Sequence, residues 1–461
     1  MAIAERTTRS HPTKPSTSAG LPWVRVERDT PLDRVGEPPL TRLHFVHLAF
    51  EGPDRYSSAG GLGIRVTTLA QALASRGAAV DVYFVGDPDL PTHEHRSGVG
   101  LHRWCQTISA EAPGGVYDEQ ERKIEALCLG VPSHLADVVA ADRVAGVRTV
   151  VLAEDWHTAW PLIGLHDELV SRGIREFATL VWTANNRFGF DRIDFRRLDR
   201  AATLMTISRA MKHIMWGVGV NPFVVPNGIP DHLLTAAPAA GVAAMRAAFT
   251  GRTTLAKIGR WDLDKRWVMA LEATCALGAH GDDAVLLARG WNGSAASSAH
   301  YRELRSRAAQ LGLEWSTLTD TSTDDLGFVA HMHSAAPASA GVVEIATPVD
   351  GSRLQTLYAG SDAVLANSGF EPFGLVGLEA MAARALVMTG ATGEDYINAF
   401  RNGFALDTDD PNEIINCLRW VKARPGRDVE LRRAGHDTAL AYTWTDIIDR
   451  LILVLGLITD E

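Results

Sequence analysis

A loop at residues 367–374 carries the side chains most suggestive of chemistry, because it joins a strand predicted at 362–366 to a helix predicted at 375–383. Glu371 lies on the loop, and Glu379 lies inside the helix, more than a turn from its start. Carboxylates accept hydrogen bonds from hydroxyl groups. Glu371 is therefore a candidate for holding the hydroxyls of a sugar, and Glu379 for holding those of a ribose. The alternative is a capping carboxylate and one surface glutamate, which two glutamates alone would favour.

The same turn offers backbone donors. The free amide groups near Gly374, Leu375 and Val376 stand at the predicted start of the helix, where the first N–H groups have no partner inside the helix. Together with the helix dipole, these amides favour a bound anion. The three residues are therefore predicted to bind an anionic group in a cleft.

The run at residues 367–381 closely resembles the motif of family 4 retaining glycosyltransferases, in which a Phe-Glu-Pro-Phe-Gly loop is followed by a second Glu after seven intervening residues. The resemblance covers roughly residues 42–440 and implies the GT-B fold, two facing Rossmann-like domains with a cleft between them. It also implies that the amides at residues 374–376 and Glu379 contact a nucleotide-sugar donor. Further resembling segments are the glycine loop Gly60-Gly61-Leu62-Gly63, the Asp155-Trp156-His157 of glycogen and starch synthases, the inter-domain turn Pro226-Asn227-Gly228, and the Arg-and-Lys segment of Arg260 and Lys265.

Arg260 and Lys265 are five residues apart, just after the strand predicted at 254–258. The resemblance places them on the diphosphate of the donor. A diphosphate leaving group gains charge as its bond to the sugar breaks, so two fixed cations stabilise the transition state more than the ground state. The alternative is a strand-end Arg with an exposed Lys that pairs with Asp262 or Asp264. That alternative would be favoured for an isolated pair.

The glycine run at residues 60–63 stands at the start of a predicted helix and offers further N–H groups. By resemblance, Gly61 and Leu62 approach the donor diphosphate from the first domain, and a tight turn is the alternative. The run is not a dinucleotide fingerprint, because the third glycine of that motif is missing. Bacterial and plant glycogen and starch synthases carry a Lys two residues before the paired glycines. Ser58 stands there in this chain, so that phosphate contact is missing or replaced.

Three polar residues follow predicted strands of the first domain. His157 comes after the strand at 148–153, and the resemblance implies that it lies near the transferred sugar. A structural hydrogen-bonding role is the alternative. Asn185 and Asn186 come after the strand at 178–183 and are predicted to contact acceptor or sugar hydroxyls, with capping of the next helix as the alternative.

Strands and helices alternate along most of the chain, and the strands are nearly continuous runs of Val, Ile and Leu, as in parallel doubly wound sheets. The predicted fold class is α/β, with two Rossmann-like domains whose cleft lies at the carboxyl ends of the strands. The predicted divisions are a flexible arm at 1–40, an acceptor-side domain at 41–235, a nucleotide-sugar domain at 236–440, and a C-terminal helix at 441–461 that packs back on the first domain.

The composition of the chain excludes several classes of protein. The 461 residues are 46% hydrophobic and 22% charged, which excludes disorder over most of the chain. The 45 Lys and Arg against 55 Asp and Glu give a net charge of −10, so nucleic acid is not an expected partner. The four cysteines form no Cys-X-X-Cys pair. No uninterrupted apolar run reaches about 18 residues and no signal-peptide core is evident, so a cytoplasmic protein without a transmembrane segment is predicted.

The resemblance implies a retaining glycosyltransferase that moves a hexose, with glucose preferred, from a UDP- or ADP-hexose to a hydroxyl acceptor such as a sugar, a glycan or a small molecule. No cofactor or metal is required, because Arg260, Lys265 and helix dipoles can neutralise the diphosphate. The Asp-X-Asp triplets at 87–89 and 262–264 are assigned to a turn and to loop ion pairs.

Three alternatives remain open: a sugar-nucleotide epimerase, a pyridoxal-phosphate-dependent phosphorylase, and a non-catalytic sugar-nucleotide-binding protein. A phosphorylase needs a lysine that forms a Schiff base. Beyond residue 212 the lysines are Lys257, Lys265 and Lys422, and none has a matching context.

Overall fold

Two β-sheets form the framework of the chain. Most of their strands are short and apolar, so the sheets can be buried on both faces. The computed structural model describes residues 40–279, 281–292, 295–349 and 351–459. In chain order the strands are β1 (Leu43–Leu48), β2 (Ala79–Val85), β3 (His93–Arg96), β4 (Val99–Trp104), β5 (Arg148–Glu154), β6 (Ala178–Ala184), β7 (Thr203–Thr206), β8 (Phe223–Val224), β9 (Thr253–Arg260), β10 (Ala284–Trp291), β11 (Glu314–Leu318), β12 (Gly341–Ile345), β13 (Ala363–Ala366), β14 (Val387–Thr389) and β15 (Phe404–Ala405).

The helices lie between the strands and cover the faces of the sheets. In chain order they are α1 (Gly61–Ser75), α2 (Gln106–Glu111), α3 (Gln120–Ala145), α4 (Ala159–Ser171), α5 (Phe195–Ala201), α6 (Arg209–Gly217), α7 (Ala239–Ala248), α8 (Trp267–Ala279), α9 (Ala295–Gln310), α10 (Asp325–Ala335), α11 (Gly351–Gly360), α12 (Leu375–Ala382), α13 (Asn412–Lys422), α14 (Arg427–Ala439) and α15 (Trp444–Thr459).

The first sheet has the strand order β3-β4-β2-β1-β5-β6-β7-β8. Its strands are parallel except for β3, which pairs antiparallel with β4 through His93 opposite His102. Strand β1 is central, with His44 opposite Ala79 of β2 and Leu43 opposite Arg148 of β5. This order places the carboxyl ends of β1 and β5 side by side, and the loops that follow them lie at the same edge of the sheet.

The second sheet has the order β11-β12-β10-β9-β13-β14-β15, and every described pairing in it is parallel. Strand β9 lies beside β13, with Leu255 opposite Ala363. The loops that follow β9 and β13 therefore leave the same edge of the sheet next to each other. These are the loops that carry Arg260 and Glu371.

The C-terminal helix α15 packs on α1 and the first sheet. Trp444, Ile447, Ile448 and Leu451 of α15 are buried in one apolar cluster with Leu69 and other residues of α1 and β1. At the start of α15, the amide of Ile229 donates to the carbonyl of Tyr442. The amide of Trp444 in turn donates to the carbonyl of Ile229. The two segments that cross between the domains are therefore hydrogen-bonded side by side.

The α/β prediction with two parallel Rossmann-like domains is confirmed. Strands β5 and β6 each extend one residue beyond the strands predicted at 148–153 and 178–183. Strand β9 begins one residue before and ends two residues after the strand predicted at 254–258, and β13 begins one residue later than predicted. Strands β3, β4, β11 and β15 were not predicted. Pro38–Glu461 form one compact unit. The arm predicted at 1–40 lies outside the described residues apart from Leu40, and the other domain divisions stay predictions.

By length and composition alone, α3 is the one described helix long and apolar enough to cross a membrane. Charged residues interrupt its apolar ones, so the sequence has no uninterrupted apolar run here. One stripe of this helix, including Leu127, Val131, Leu135 and Val139, is buried in the apolar core that covers the first sheet. That packing accounts for its apolar residues on the inner face.

Candidate functional site

The predicted cations and the loop glutamate come together at the carboxyl ends of β9 and β13. The Nζ of Lys265 lies 2.6 Å from Oε2 of Glu371, and the Nε of Arg260 lies 2.9 Å from Oδ2 of Asp262. The side chains of Lys265 and Glu371 are partly buried, whereas that of Arg260 is 43% exposed. Both cations thus have a carboxylate partner from the chain itself. The alternative foreseen for an isolated segment, an exposed Lys265 paired with Asp262 or Asp264, is present in part: Nζ of Lys265 lies 3.9 Å from Oδ2 of Asp264, but its shorter contact is with Glu371 and its side chain is partly buried.

Aromatic packing holds the Arg260 segment in place. The indole N–H of Trp267 donates to the carbonyl of Arg260 at 2.8 Å, and Trp261 is buried against Trp267 and Tyr301. The amide of Gly369 donates to the carbonyl of Asp264 at 2.6 Å and ties this segment to the Glu371 loop. Backbone contacts of this kind fix the positions of the two loops relative to each other before any ligand binds.

Helix α12 starts at the predicted turn. Gly374 is its N-cap, with φ of +82°, a left-handed conformation that favours glycine. The hydroxyl of Tyr396 donates to the carbonyl of Gly374. Leu375 and Val376 provide the first amides of the helix, so the three predicted donors stand together at its amino end. They lie on the loop that carries Glu371 and therefore share one wall of the site with the two cations.

Glu379 lies on α12 one turn beyond those amides. Its side chain is half-buried, and burial raises the pKa of its carboxyl to about 7. A hydroxyl group that donates to this carboxyl would favour its ionised form. A carboxyl in this state is suited to accept from ribose hydroxyls, and that role of Glu379 stays a prediction.

The glycine loop carries an anion from its own chain. Oε2 of Glu51 accepts hydrogen bonds from the amides of Ala59, Gly60 and Gly63 at 3.2, 2.9 and 3.1 Å. Its other oxygen accepts from the hydroxyl of Tyr117. The amides of Ala59, Gly60 and Gly63 therefore bind a carboxylate of the chain itself. Contact of Gly61 and Leu62 with a donor diphosphate stays a prediction.

His157 lies in a short 3-10 helix after β5 and is stacked between aromatic rings. Its ring is parallel to that of Phe50, with centroids 4.1 Å apart, and packs on Trp156 at 4.0 Å. Burial and the nearby charge of Arg192 lower its pKa to about 3, so the imidazole is neutral at pH 7. Neither ring nitrogen has a hydrogen-bond partner among the described residues, although both are buried. A neutral imidazole with unused polar atoms suits contact with a sugar hydroxyl.

Asp155 binds both predicted asparagines. Its Oδ1 accepts from the amide of Asn185 at 2.7 Å and its Oδ2 from the side-chain nitrogen of Asn186 at 2.7 Å. Asp155 has φ of +61°, which is unusual for a residue with a side chain. Burial raises the pKa of its carboxyl to about 7. Asn185 also donates to Glu154 at 2.6 Å, so both asparagines serve this buried network, and their contact with acceptor or sugar stays a prediction.

The two domains meet across these loops. The guanidinium of Arg187 in the first domain lies over the ring of Phe370 in the second, 5.2 Å from its centroid. The amide of Arg209 at the start of α6 donates to Oδ2 of Asp395 at 2.7 Å. Tyr117, the partner of Glu51, lies close enough to Arg260 for the charge of that guanidinium to act on its phenol.

Four carboxylates and phenols near the site were not predicted: Glu51, Tyr117, Asp155 and Glu394. Asp155 had a usable signal, since it stands in the same tripeptide as His157. The other three had none, because they come from loops that are distant in sequence. Within the described residues, no group of three or more His, Cys, Asp or Glu side chains is arranged to hold a metal ion.

Residues 340–438, which include β12 to most of α14, match the family model described as Glycosyl transferases group 1. A D-inositol 3-phosphate glycosyltransferase of Catenulispora acidiphila is 28% identical over 114 residues, which are 24% of this chain and 27% of that protein. An uncharacterized glycosyltransferase of Methanocaldococcus jannaschii is 32% identical over 109 residues, 23% of this chain and 28% of that protein. The matched part thus spans about a quarter of the length of these curated relatives.

Solved structures resemble the chain over nearly its whole length. Sucrose-phosphate synthase of Thermosynechococcus elongatus is 18% identical with a TM-score of 0.63, covering 91% of this chain and 100% of that one. The catalytic domain of starch synthase IV of Arabidopsis thaliana, bound to ADP and acarbose, is 17% identical with a TM-score of 0.60, covering 89% and 99%. Anabaena HepE in complex with UDP is 14% identical with a TM-score of 0.59, covering 90% and 99%. The fold of this chain is therefore GT-B.

Proposed function

We propose that the protein is a retaining glycosyltransferase that moves a hexose, with glucose preferred, from a nucleoside diphosphate sugar to a hydroxyl acceptor. The observation that carries the proposal is the meeting of Arg260, Lys265 and Glu371 beside the amino end of α12. Two cations and three helix-start amides suit a diphosphate. A carboxylate 2.6 Å from one of the cations suits the hydroxyls of the sugar that this diphosphate carries.

In this proposal the second domain holds the donor and the first domain holds the acceptor. The acceptor oxygen bonds to the anomeric carbon on the face from which the diphosphate departs. The bond between that carbon and the phosphate oxygen breaks, and the proton of the acceptor hydroxyl passes to the leaving phosphate. Arg260 and Lys265 stabilise the negative charge that develops on the leaving oxygen. Glu371 and His157 orient the hexose, and closure of the two walls excludes water.

The neighbours with bound nucleotides support a nucleotide-sugar donor. Anabaena HepE was solved with UDP, and starch synthase IV with ADP and acarbose. For this chain we therefore propose UDP-hexoses and ADP-hexoses as the candidate donors. Family 4 membership, retention of configuration and a cytoplasmic location remain parts of the proposal.

The phosphorylase alternative meets an obstacle at Lys257. Burial lowers the pKa of this lysine to about 7, which is the kind of shift that activates a Schiff-base amine. However, Lys257 is 2% exposed, and its Nζ donates to Oδ1 of Asn367 and the carbonyl of Leu365. It serves to hold the strand end that leads into the Glu371 loop. An aldehyde cofactor would have to break both hydrogen bonds to reach it.

A thermal-shift panel of UDP, ADP, GDP and their glucose conjugates tests the donor half of the proposal. A ligand at 100 times its Kd adds about 2.7 kcal/mol to stability. In a domain of this size, that raises the Tm by about 5 °C or more. At least one nucleotide is expected to give such a rise, and release of the nucleoside diphosphate from the matching donor sugar then reports turnover. A panel with no shift at millimolar concentration would rule out a nucleotide-sugar enzyme.

Glu379→Gln is expected to weaken donor binding about tenfold and to slow saturated turnover much less. The reason is that a contact with ribose contributes similarly in the ground and transition states. Because bound hydroxyls favour the carboxylate, wild-type affinity should be full above pH 7 and fall as the pH drops through the pKa of Glu379, near 7. Calorimetric titration between pH 6 and 8 measures both effects. Normal donor affinity in the variant would place this carboxylate outside the ribose site.

A further inference from the structure

A buried glutamate that the predicted site does not include lies beside the first turn of α12. Glu394 follows β14 and is 6% exposed. Its Oε2 accepts a hydrogen bond from the amide of Thr392 at 3.1 Å. Its Oε1 is buried and has no hydrogen-bond partner among the described residues. An unpaired buried oxygen destabilises a protein, so the presence of this one requires a physical reason.

Two glycines define where Oε1 lies. A Cβ added at Gly374 would meet Cγ of Glu394 at 2.7 Å and Oε1 at 3.2 Å, and a Cβ at Gly390 would lie 3.5 Å from the same oxygen. Gly374 is the N-cap of α12, and Gly390 directly follows β14. Oε1 therefore lies where the amino end of a helix meets the carboxyl end of a parallel strand. Anions bind at such places in doubly wound sheets.

The surroundings favour the neutral form of Glu394. Burial and the negative charge of Glu371 raise its pKa to about 8, against the opposing charge of Lys265. Tyr396 also faces it, and burial holds the pKa of that phenol well above its ordinary value. At pH 7 the carboxyl is mostly protonated and offers an O–H donor. An ionised oxygen at this place would accept from the first-turn amides of α12, and Oε1 accepts from none of them.

We propose that Glu394 is a further donor-binding residue, whose neutral carboxyl donates a hydrogen bond to a phosphate oxygen of the nucleoside diphosphate at the amino end of α12. This inference rests on the proposed function. The contact adds a donor beside Lys265 without adding charge. When Glu394 loses its proton, a carboxylate instead faces the diphosphate and repels it. Donor affinity is therefore full below the pKa of Glu394 and is lost as the pH rises through it, opposite in sign to the effect of Glu379.

The test is the pH dependence of nucleotide affinity. UDP, ADP and GDP are screened at pH 7, and the tightest binder is titrated by calorimetry from pH 7 to 9. For the wild type, Kd is expected to rise about fivefold over this range, because loss of the Glu394 proton raises it about tenfold and the ionisation of Glu379 lowers it about twofold. In Glu394→Gln the amide donates at every pH. The Kd at pH 7 should stay within about threefold of the wild type, and the rise should vanish.

Glu272→Gln is the matched control, since that carboxylate pairs with Arg307 of α9 at 2.6 Å and belongs to the same domain. It should keep the wild-type profile. A profile of Glu394→Gln that still rises, or a wild type whose profile is flat, overturns the inference and leaves the proposed function standing, because the nucleotide still binds. A uniform loss of affinity with the wild-type slope retained marks Glu394 as structural and also overturns it. A wild type that binds none of the three nucleotides overturns the proposed function and this inference with it.

Discussion

Arg260→Ala and Lys265→Ala are each expected to lower kcat by about 10² or more, with a smaller change in donor affinity. One preorganised electrostatic contact at a developing charge is often worth that much. The effect falls on kcat because the leaving oxygen is more negative in the transition state than in the bound donor. Release of nucleoside diphosphate from the donor sugar, in the presence of a panel of hydroxyl acceptors, measures the rate.

Lys422→Ala is the matched control for these two variants. The Nζ of Lys422 lies 3.1 Å from the hydroxyl of Thr253, the first residue of β9, whereas Arg260 is the last. At about 3.3 Å per residue, Thr253 and Arg260 lie roughly 23 Å apart along β9. Lys422 therefore contacts the end of this strand that is far from the site. The Lys422→Ala variant loses one positive charge from the same domain, but that charge lies outside the site. The kcat of this variant should therefore stay close to that of the wild type. Unchanged kcat in both site variants, with the fold intact, would show that Arg260 and Lys265 do not act on the diphosphate.

A double variant separates two roles for Lys265. The lysine could act on the diphosphate, or it could act only by neutralising Glu371, 2.6 Å away. If it acts on the diphosphate, Lys265→Ala combined with Glu371→Gln loses at least as much activity as Lys265→Ala alone. If it only neutralises Glu371, removal of both charges restores part of the rate. A double-mutant cycle of kcat values distinguishes the two.

The buried strands were the most predictable part of the fold. Strands β2 and β12 are covered on both faces, so their residues form apolar runs whose ends coincide with the ends of the strands. Strands β3 and β11 lie at sheet edges and include the polar sequences His-Glu-His-Arg and Glu-Trp-Ser-Thr-Leu. Their outer faces contact solvent, so composition does not distinguish them from loops.

The shared wall of the site was predictable for a topological reason. Carboxyl ends of neighbouring parallel strands meet at one edge, so residues that follow β9 and β13 come together once those strands are adjacent. This is how Lys265 and Glu371 meet over 106 residues of sequence. Strand order cannot be read from spacing, and here the resemblance to known glycosyltransferases supplied it.

The unpredicted part of the site depends on tertiary contacts between loops. Glu51 and Tyr117 are 66 residues apart and meet only because the loop after β1 and the segment before α3 fold over the glycine loop. Glu394 is one of two adjacent acidic residues that follow the short strand β14. Its burial depends on the glycines that pack against it. A pKa raised by burial leaves no mark in sequence, because the same residue in a solvated turn would be an ordinary carboxylate.

Truncation after Asp449 is expected to destabilise the first domain enough to abolish its cooperative unfolding at the wild-type temperature. The missing turns of α15 include Leu451, Ile452, Val454 and Leu455, each less than a tenth exposed. Burial of one such side chain contributes about 1.5–3 kcal/mol. The four together therefore contribute on the order of 10 kcal/mol, comparable with the whole stability of a typical domain. The apolar run at residues 451–458 predicts burial of Leu451, Leu453, Leu455 and Leu457 against the first domain. For Leu453 that prediction is wrong, because its side chain is 40% exposed on the outer face of α15, and Leu457 lies outside the side chains that the structure describes.

The same helix should also affect the closure of the cleft. Trp444 at its start packs against Gly228, where a Cβ would come within 2.6 Å of the indole. The amides of Ile229 and Trp444 link the two crossing segments. Loosening α15 therefore loosens both crossings, which would act as the hinge that lets the walls close on a donor. The truncated chain is expected to show a higher Kd for the donor nucleotide as well as a lower Tm.

Leu451→Ala provides the test if the truncated chain does not fold. Leu451 is 4% exposed, so its truncation should cost about 2–5 kcal/mol and lower the Tm by about 5–15 °C. Leu453→Ala is the control on the same helix, because Leu453 is 40% exposed and its loss should cost well under 1 kcal/mol. Differential scanning calorimetry measures both. Equal melting temperatures for the two variants, together with unchanged donor binding after truncation, would show that α15 is a tail rather than part of the first domain and its hinge.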